Sequence, residues 1–290
     1  MKSVNILIPN YNSFEAIQLC VESVRHYTKY QNYKIIVFDD HSWYRQDPDS
    51  DAKQPNMVDL GYLRDCHNKG WIELHENPGP QSLSHGGTLN KLMHEYCDAD
   101  YAMILDCDTQ VLMAGWLTEM VRVAEADPKI LTVADFKDSG FASKYYRTGL
   151  YFCWFQIIKM SAYNDGMQVD WKLSKHDIHK HPYDKEFVGL YPRENCKWTY
   201  YWNQNCNKDE FDADLVVNDP ASHLYLQIKY FNPKNYRAMP LPPHVRPMYY
   251  HYAHMSFISI PGSYESQVAQ KRKQKLQMIN QELRRVRSHE

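Results

Sequence analysis

The chain has 290 residues, 43% of them hydrophobic, and a formal net charge of −2. That length suits one large α/β domain, or one with a substantial insertion, and it can bury a sizeable core. A charge so near zero argues against a whole-protein field that attracts nucleic acid. Seven scattered Cys without CxxC spacing exclude a zinc ribbon or disulfide framework and read as reduced, intracellular thiols.

Val4 to Ile8 is a continuous apolar-rich run closed by Pro9, and it reads as a first buried strand rather than a signal peptide. Asn10-Tyr-Asn-Ser13 reads as a turn, with Ser13 as a plausible N-cap. Apolar residues at Ile17, Val21 and Val24 predict a helix to about Tyr27. Lys34 to Phe38 predicts a second buried strand ending in Asp39-Asp-His-Ser42. This β-α-β succession predicts adjacent parallel strands, with the tip Pro9 to Asn12 beside Asp39 and Asp40. A flat ring, Tyr11, beside carboxylate acceptors suits a nucleobase, although a turn residue and helix caps would leave the same pattern.

Gln46 to Pro55 is polar and reads as a loop, Gly61 to Trp71 has no clear period, and Trp71 to His75 is a short strand candidate. Asn77 to Thr88 is rich in Gly, Pro and Ser and leads into a helix from about Thr88 to Tyr96. A Gly-rich loop entering a helix is a ready phosphate cradle, which singles out Gly86. Ala102 to Leu105 predicts another buried strand, with Asp106 and Asp108 at its carboxyl end. Ligands of open α/β sheets sit outside those ends. Two carboxylates there suit a hard divalent cation, which can in turn hold a diphosphate. Trp116 to Ala126 predicts an amphipathic helix and Ile130 to Ala134 a further strand. The longest apolar stretch, Gly149 to Ile158, is too short to span a bilayer.

The second half is less regular. Tyr145 to Lys159 is aromatic and is expected to pack against the sheet. His176, His179 and His181 resemble a metal cluster only loosely and read as surface His. Phe211 to Leu215 opens a helix or turn that carries Asp212 and Asp214. From Glu265 to Glu290 seven basic residues face three acids, and Leu276, Ile279, Leu283 and Val286 recur at helical spacing. Such a basic helix suits packing on the domain, self-association, an anionic membrane surface or nucleic acid.

In this order the elements resemble the family 2 type glycosyltransferases with the GT-A fold. The matching residues are Val4-Asn-Ile-Leu-Ile-Pro-Asn-Tyr-Asn12, Ile35-Ile-Val-Phe-Asp-Asp-His-Ser42, Asn77-x-Gly79, the helix reaching Asn90, and Leu105-Asp-Cys-Asp108. Gly87-Thr-Leu-Asn90 departs from the frequent Ala-Arg-Asn, and Asp-Asp-His-Ser from the usual Asp-Asp-Gly-Ser. The resemblance implies an α/β, Rossmann-like, mixed and mostly parallel sheet flanked by helices, ending in the basic C-terminal helix. It implies a nucleotide-sugar-binding half over residues 1–135, an acceptor-binding half of the same domain over 136–262, and the tail over 263–290.

It also implies roles. Pro9, Asn10 and Tyr11, with Asp40 and Asp39, would hold the base, and Gly86 and Asn90 would lie along the nucleotide. Asp106 would face the ribose or the metal, and Asp108 would bind Mn²⁺ or Mg²⁺. A late His closes the metal site in many such enzymes. His251 fits that spacing to Ser256, and His254 is the alternative. A carboxylate on the acceptor side would take the proton of the attacking hydroxyl, with Asp212 as first candidate and Asp214 as second.

The expected activity is an inverting, metal-dependent transfer of a sugar, a hexose by type, from a nucleotide-sugar, with UDP-sugar first among donors. The acceptor would be a surface glycan or a hydroxymethylated pyrimidine in DNA. A sugar nucleotidyltransferase or a non-catalytic nucleotide-sugar-binding protein are the competing readings. The expected location is cytoplasmic, with peripheral membrane attachment through the tail as the alternative.

Overall fold

The structure is a computed structural model. It describes residues 1–13, 15–45, 53–55, 57–79, 82–83, 85–136, 151–169, 171, 175–177, 215–217, 224, 228, 234–252 and 265–288. Asp212, Asp214 and His254 lie outside the described residues, as do His179 and His181.

The first strand, β1 (Val4–Asn10), is buried along its whole length. The chain then forms α1 (Glu15–Tyr27) and β2 (Tyr33–Asp39), which lies parallel to β1 with Asn10 opposite Asp39. Three-residue strands β3 (Trp43–Arg45) and β4 (Lys53–Pro55) pair antiparallel, so the stretch read as a loop has paired ends. α2 (Met57–Asn68) occupies the region without a clear period, and β5 (Glu73–Glu76) adds to β2 in parallel.

α3 (His85–Lys91) starts three residues before the expected helix and runs into a π turn over Leu92–Tyr96. β6 (Tyr101–Leu105) is buried throughout and parallel to β1. A three-residue strand, β7 (Thr109–Val111), follows the Asp106-Cys-Asp108 turn, then α4 (Trp116–Glu125) and β8 (Ile130–Phe136). The aromatic stretch does not merely pack on the sheet. It enters it as β9 (Tyr151–Lys159), antiparallel to both β6 and β8. α5 (Met160–Asn164) comes next, and β10 (Lys175–Asp177) pairs with β11 (Leu215–Val217). β12 (Arg237–Pro240) joins β8 in parallel, β13 (Tyr249–His251) pairs antiparallel with β7, and α6 (Glu265–Arg287) closes the chain.

The main sheet has seven strands in the order β12-β8-β9-β6-β1-β2-β5. Only β9 runs against the rest, so the sheet is mixed and mostly parallel, as expected. Its two faces follow the alternation of strand side chains. Ile6 and Ile8 of β1 pack with Ile17 and Val21 of α1 and Trp116 of α4. Leu7 points the other way, onto Leu89 of α3, Leu92 and Met93. This sandwich holds the carboxyl ends of β1, β2 and β6 side by side at one edge, where ligands of such sheets bind.

α6 buries its apolar stripe. Leu276, Ile279, Leu283 and Val286 meet Ala16 and Leu19 of α1, and Arg287 closes on the Glu22 carboxylate at 2.6–3.0 Å. Of the uses open to this helix, packing on the domain takes the stripe. Among the described residues no helix is long and apolar enough to cross a membrane.

Candidate active site

Two clusters of polar side chains occupy the carboxyl edge. The first fills the tips of β1 and β2. The Asn10 side-chain amide donates to Asp39 Oδ1 at 2.7 Å and to Asp59 Oδ2 at 3.2 Å. Ser42 donates from its hydroxyl to Asp39 Oδ1 at 2.5 Å and from its backbone N–H to Asp39 Oδ2 at 3.0 Å. Asp39 therefore has donors on both oxygens. Burial lifts its carboxyl above the usual range, against the hydrogen bonds from Ser42 and Asn10 that favour its anion. Asp59 is fully buried and also accepts from the Ser13 N–H at 2.8 Å. Asn12 and His41 at these tips adopt left-handed backbone, with φ of 49° and 62°.

Asp40 does different work. It accepts from Asn77 Nδ2 at 2.9 Å, Ser82 Oγ at 2.6 Å and the Leu83 N–H at 2.8 and 3.0 Å. A carboxylate engaged by so many donors anchors the Gly- and Pro-rich loop against β2. Tyr11 is half buried in the bend after β1, and Pro9 is buried within that strand. Gly86 is buried in α3. The Asn90 side-chain oxygen, Oδ1, accepts from the Trp171 backbone N–H at 2.8 Å, which ties Trp171 to α3. Asn90, Gly87, Leu83, His94 and Val169 line a cavity of about 530 Å³ next to that loop.

The second cluster lies at the tip of β6. The antiparallel pairing of β13 with β7 sets His251 opposite Thr109, the residue after Asp108. His251 Nε2 is 3.0 Å from Asp108 Oδ1 and 3.6 Å from Asp106 Oδ2. One ligand atom from each of Asp106, Asp108 and His251 lies within 4.8 Å of the other two. The His251 ring stacks on Trp154 with centroids 4.7 Å apart, and the Trp154 carbonyl accepts from the Asp106 N–H at 3.1 Å.

The electrostatics of this cluster are those of crowded charge. Burial alone would lower the His251 pKa, but the hydrogen bond and charge of Asp108, with the charge of Asp106, raise it above its ordinary value. Burial raises the Asp106 carboxyl, against the charges of His85 and His251. Asp106 Oδ1 is buried without a hydrogen-bond partner. Two carboxylates and one imidazole, with an orphaned carboxylate oxygen among them, form a donor set that fits a divalent cation.

Sequence reasoning missed two residues here. His85 Nε2 stands 3.6 Å from Asp106 Oδ1, whereas His251 approaches the other oxygen, Oδ2. Its only sequence signal was its place next to Gly86. Asp59 joins Asn10 and Asp39 from across the β3–β4 pair, at a separation where no local pattern could point to it.

Residues 5–49 match the family model for glycosyl transferase family 2. The match covers β1, α1, β2 and the Asp39-Asp-His-Ser42 turn, so the resemblance read from the sequence holds over the strands that carry the first cluster. No curated protein matches the chain. Among solved structures it is similar to the mannosyltransferase PcManGT of Pyrobaculum calidifontis in complex with GDP-Man and Mn²⁺, at 15% identity and a TM-score of 0.49, over 83% of this chain and 55% of that one. It is also similar to S. aureus TarS 1–349 in complex with UDP-GlcNAc, at 12% identity and a TM-score of 0.42, over 59% of this chain and 51% of that one. For the M. tuberculosis glucosyl-3-phosphoglycerate synthase the values are 11% and 0.39, over 55% and 58% of the two chains. The chain thus spans between 51% and 58% of the length of these proteins. Likenesses of this size fix neither ligand nor reaction.

Proposed function

We propose that this chain transfers a sugar from a nucleotide-sugar donor to a hydroxyl acceptor, with a divalent cation held by Asp106, Asp108 and His251. The observation that carries the reading is the convergence of these three side chains at the sheet edge. They come from positions 106, 108 and 251, beside strand tips that match the glycosyl transferase family 2 model. A surface turn with two acids has no reason to recruit a buried imidazole from so far along the chain.

Asp106, Asp108 and His251 would hold the cation, with Mn²⁺ favoured over Mg²⁺ because imidazole suits the softer ion. When bound, the cation offsets charge on the leaving nucleoside diphosphate, so that no protonated acid is required there. Trp154 fixes the His251 ring by stacking. Asp40 keeps the loop before α3 in place, and Pro9, Asn10 and Tyr11 offer the base a surface at the tip of β1. Asp39 braces that surface through its hydrogen bonds to Asn10 and Ser42. Gly86 and Asn90 flank the path of the nucleotide along α3.

Asp212 or Asp214 takes the proton of the attacking hydroxyl in an inverting displacement. A UDP-hexose is the first donor to try, and a surface glycan or a hydroxymethylated pyrimidine in DNA the first acceptors, in a cytoplasmic setting. The test is calorimetric titration of UDP-, GDP- and dTDP-sugars with Mn²⁺ and with EDTA. Cation-dependent binding of at least one donor is expected, lost in Asp108→Asn. Equal binding with EDTA, or in the folded Asp108→Asn protein, removes the cation from the reading.

A further inference from the structure

His251 owes its position to a very short piece of sheet. β13 and β7 pair over three residues each, and a two-stranded ribbon of that size is not stable in water on its own. What covers it is α6. Tyr252, the residue after His251, is 4% exposed and packs with Ile279, Leu283 and Val286 of α6 and with α1.

A chain of hydrogen bonds runs from that helix to β7 and on to Tyr252, the residue after β13. Glu282 of α6 accepts from Gln110 Nε2 at 3.1 Å. Gln110, in β7, accepts from the Tyr252 hydroxyl at 2.8 Å. The Tyr252 N–H donates to the Asp108 carbonyl at 2.9 Å. Gln110 is 1% exposed, so its amide depends on these two partners. The segment carrying Asp108 and the segment carrying His251 are thus tied to each other and to α6 by one chain of bonds.

We infer that α6 is a positioning element of the cation site. Glu282, Gln110 and Tyr252 hold β13 against β7 so that His251 reaches Asp106 and Asp108. The inference rests on the cation reading above. Outer partners that orient metal ligands typically change metal affinity by 10- to 100-fold when removed. A helix that only stabilised the domain would lower its melting temperature and leave the cation affinity of the folded protein unchanged.

The test uses the full chain and Mn²⁺ alone, with free Mn²⁺ read by its EPR signal and Trp154 fluorescence as a second readout. Tyr252→Phe keeps the packed ring and removes the hydroxyl, and Glu282→Ala removes the acceptor on α6. Each is expected to weaken Mn²⁺ binding on the order of tenfold. The double variant should cost little more than either single one, because both break the same chain. Leu63→Ala, buried in α2 and outside this chain of bonds, serves as the control and should lower the melting temperature with Mn²⁺ affinity unchanged. If His251→Ala weakens Mn²⁺ binding while Tyr252→Phe and Glu282→Ala bind as the wild type does, the positioning role is refuted and the cation reading stands. If the wild type binds no Mn²⁺, both fail together.

Discussion

If His251 is a cation ligand, as proposed, protons and the cation compete for it. In the metal-free protein, burial opposes the imidazolium, but Asp108 and Asp106 outweigh it and raise the pKa above 6.5. A group with a raised folded pKa contributes stability that is fully present below its unfolded pKa. That contribution is lost as the pH climbs through the folded value. A cation needs the neutral imidazole, so its binding expels the proton and gains from the same rise in pH. One proton released per ion makes the Mn²⁺ affinity climb by up to about tenfold per pH unit, about 1.4 kcal/mol, between pH 6.5 and the raised pKa. Calorimetry in two buffers of different ionisation enthalpy counts the protons directly. Release should approach one well below the raised pKa and fall toward zero above it. His251→Ala should bind Mn²⁺ at least about tenfold more weakly and lose this release. Proton release that is the same at every pH, and the same in His251→Ala, would refute the assignment of His251 to the cation.

Further outcomes follow from other parts of the molecule. His41 adopts a φ of 62°, which costs a residue with Cβ about 1–2 kcal/mol, so His41→Gly should leave the protein as stable as before or raise it by up to about 1 kcal/mol in urea denaturation. A clear loss would mean that the ring makes a contact worth more than the strain. Arg287→Ala leaves the Glu22 carboxylate, 5% exposed, without its guanidinium, and should cost on the order of 2 kcal/mol by the same measurement. Asp212→Asn should cut kcat on the order of a hundredfold with donor affinity nearly unchanged. If Asp214→Asn does so instead, the proton acceptor is two residues further on.

The parts of this fold that were legible in the sequence are those with long apolar runs. Val4 to Ile8 and Ala102 to Leu105 are buried from end to end, so composition alone marked them as strands and placed Asp106 and Asp108 at a strand tip. α3 starts three residues before the helix expected from the sequence, where two adjacent Gly argue against helix. Gly86 and Gly87 nevertheless sit buried in its first turn, where packing outweighs propensity. β7 and β13 were not visible, since Thr109-Gln-Val111 and Tyr249-Tyr-His251 are too short to show a period. The family resemblance points to His251 through its spacing to Ser256, with His254 as the alternative, but its approach to Asp108 depends on that unseen pairing. The stripe of α6 was read correctly as apolar, yet a stripe carries no label for its partner, and α1 supplies it here. Asp39 is suited to a base by its place at a strand tip, but its hydrogen bonds to Asn10 and Ser42 are visible only in the geometry.

A cation on Asp106, Asp108 and His251 would serve the departure of a nucleoside diphosphate from a sugar. The most direct measurement is the release of nucleoside diphosphate from a panel of UDP-, GDP- and dTDP-sugars, by wild type and Asp108→Asn, with Mn²⁺ and with EDTA. Release from at least one donor with Mn²⁺, abolished by EDTA and by Asp108→Asn, is the predicted result. Release that persists in EDTA, or in the folded Asp108→Asn protein, would contradict it.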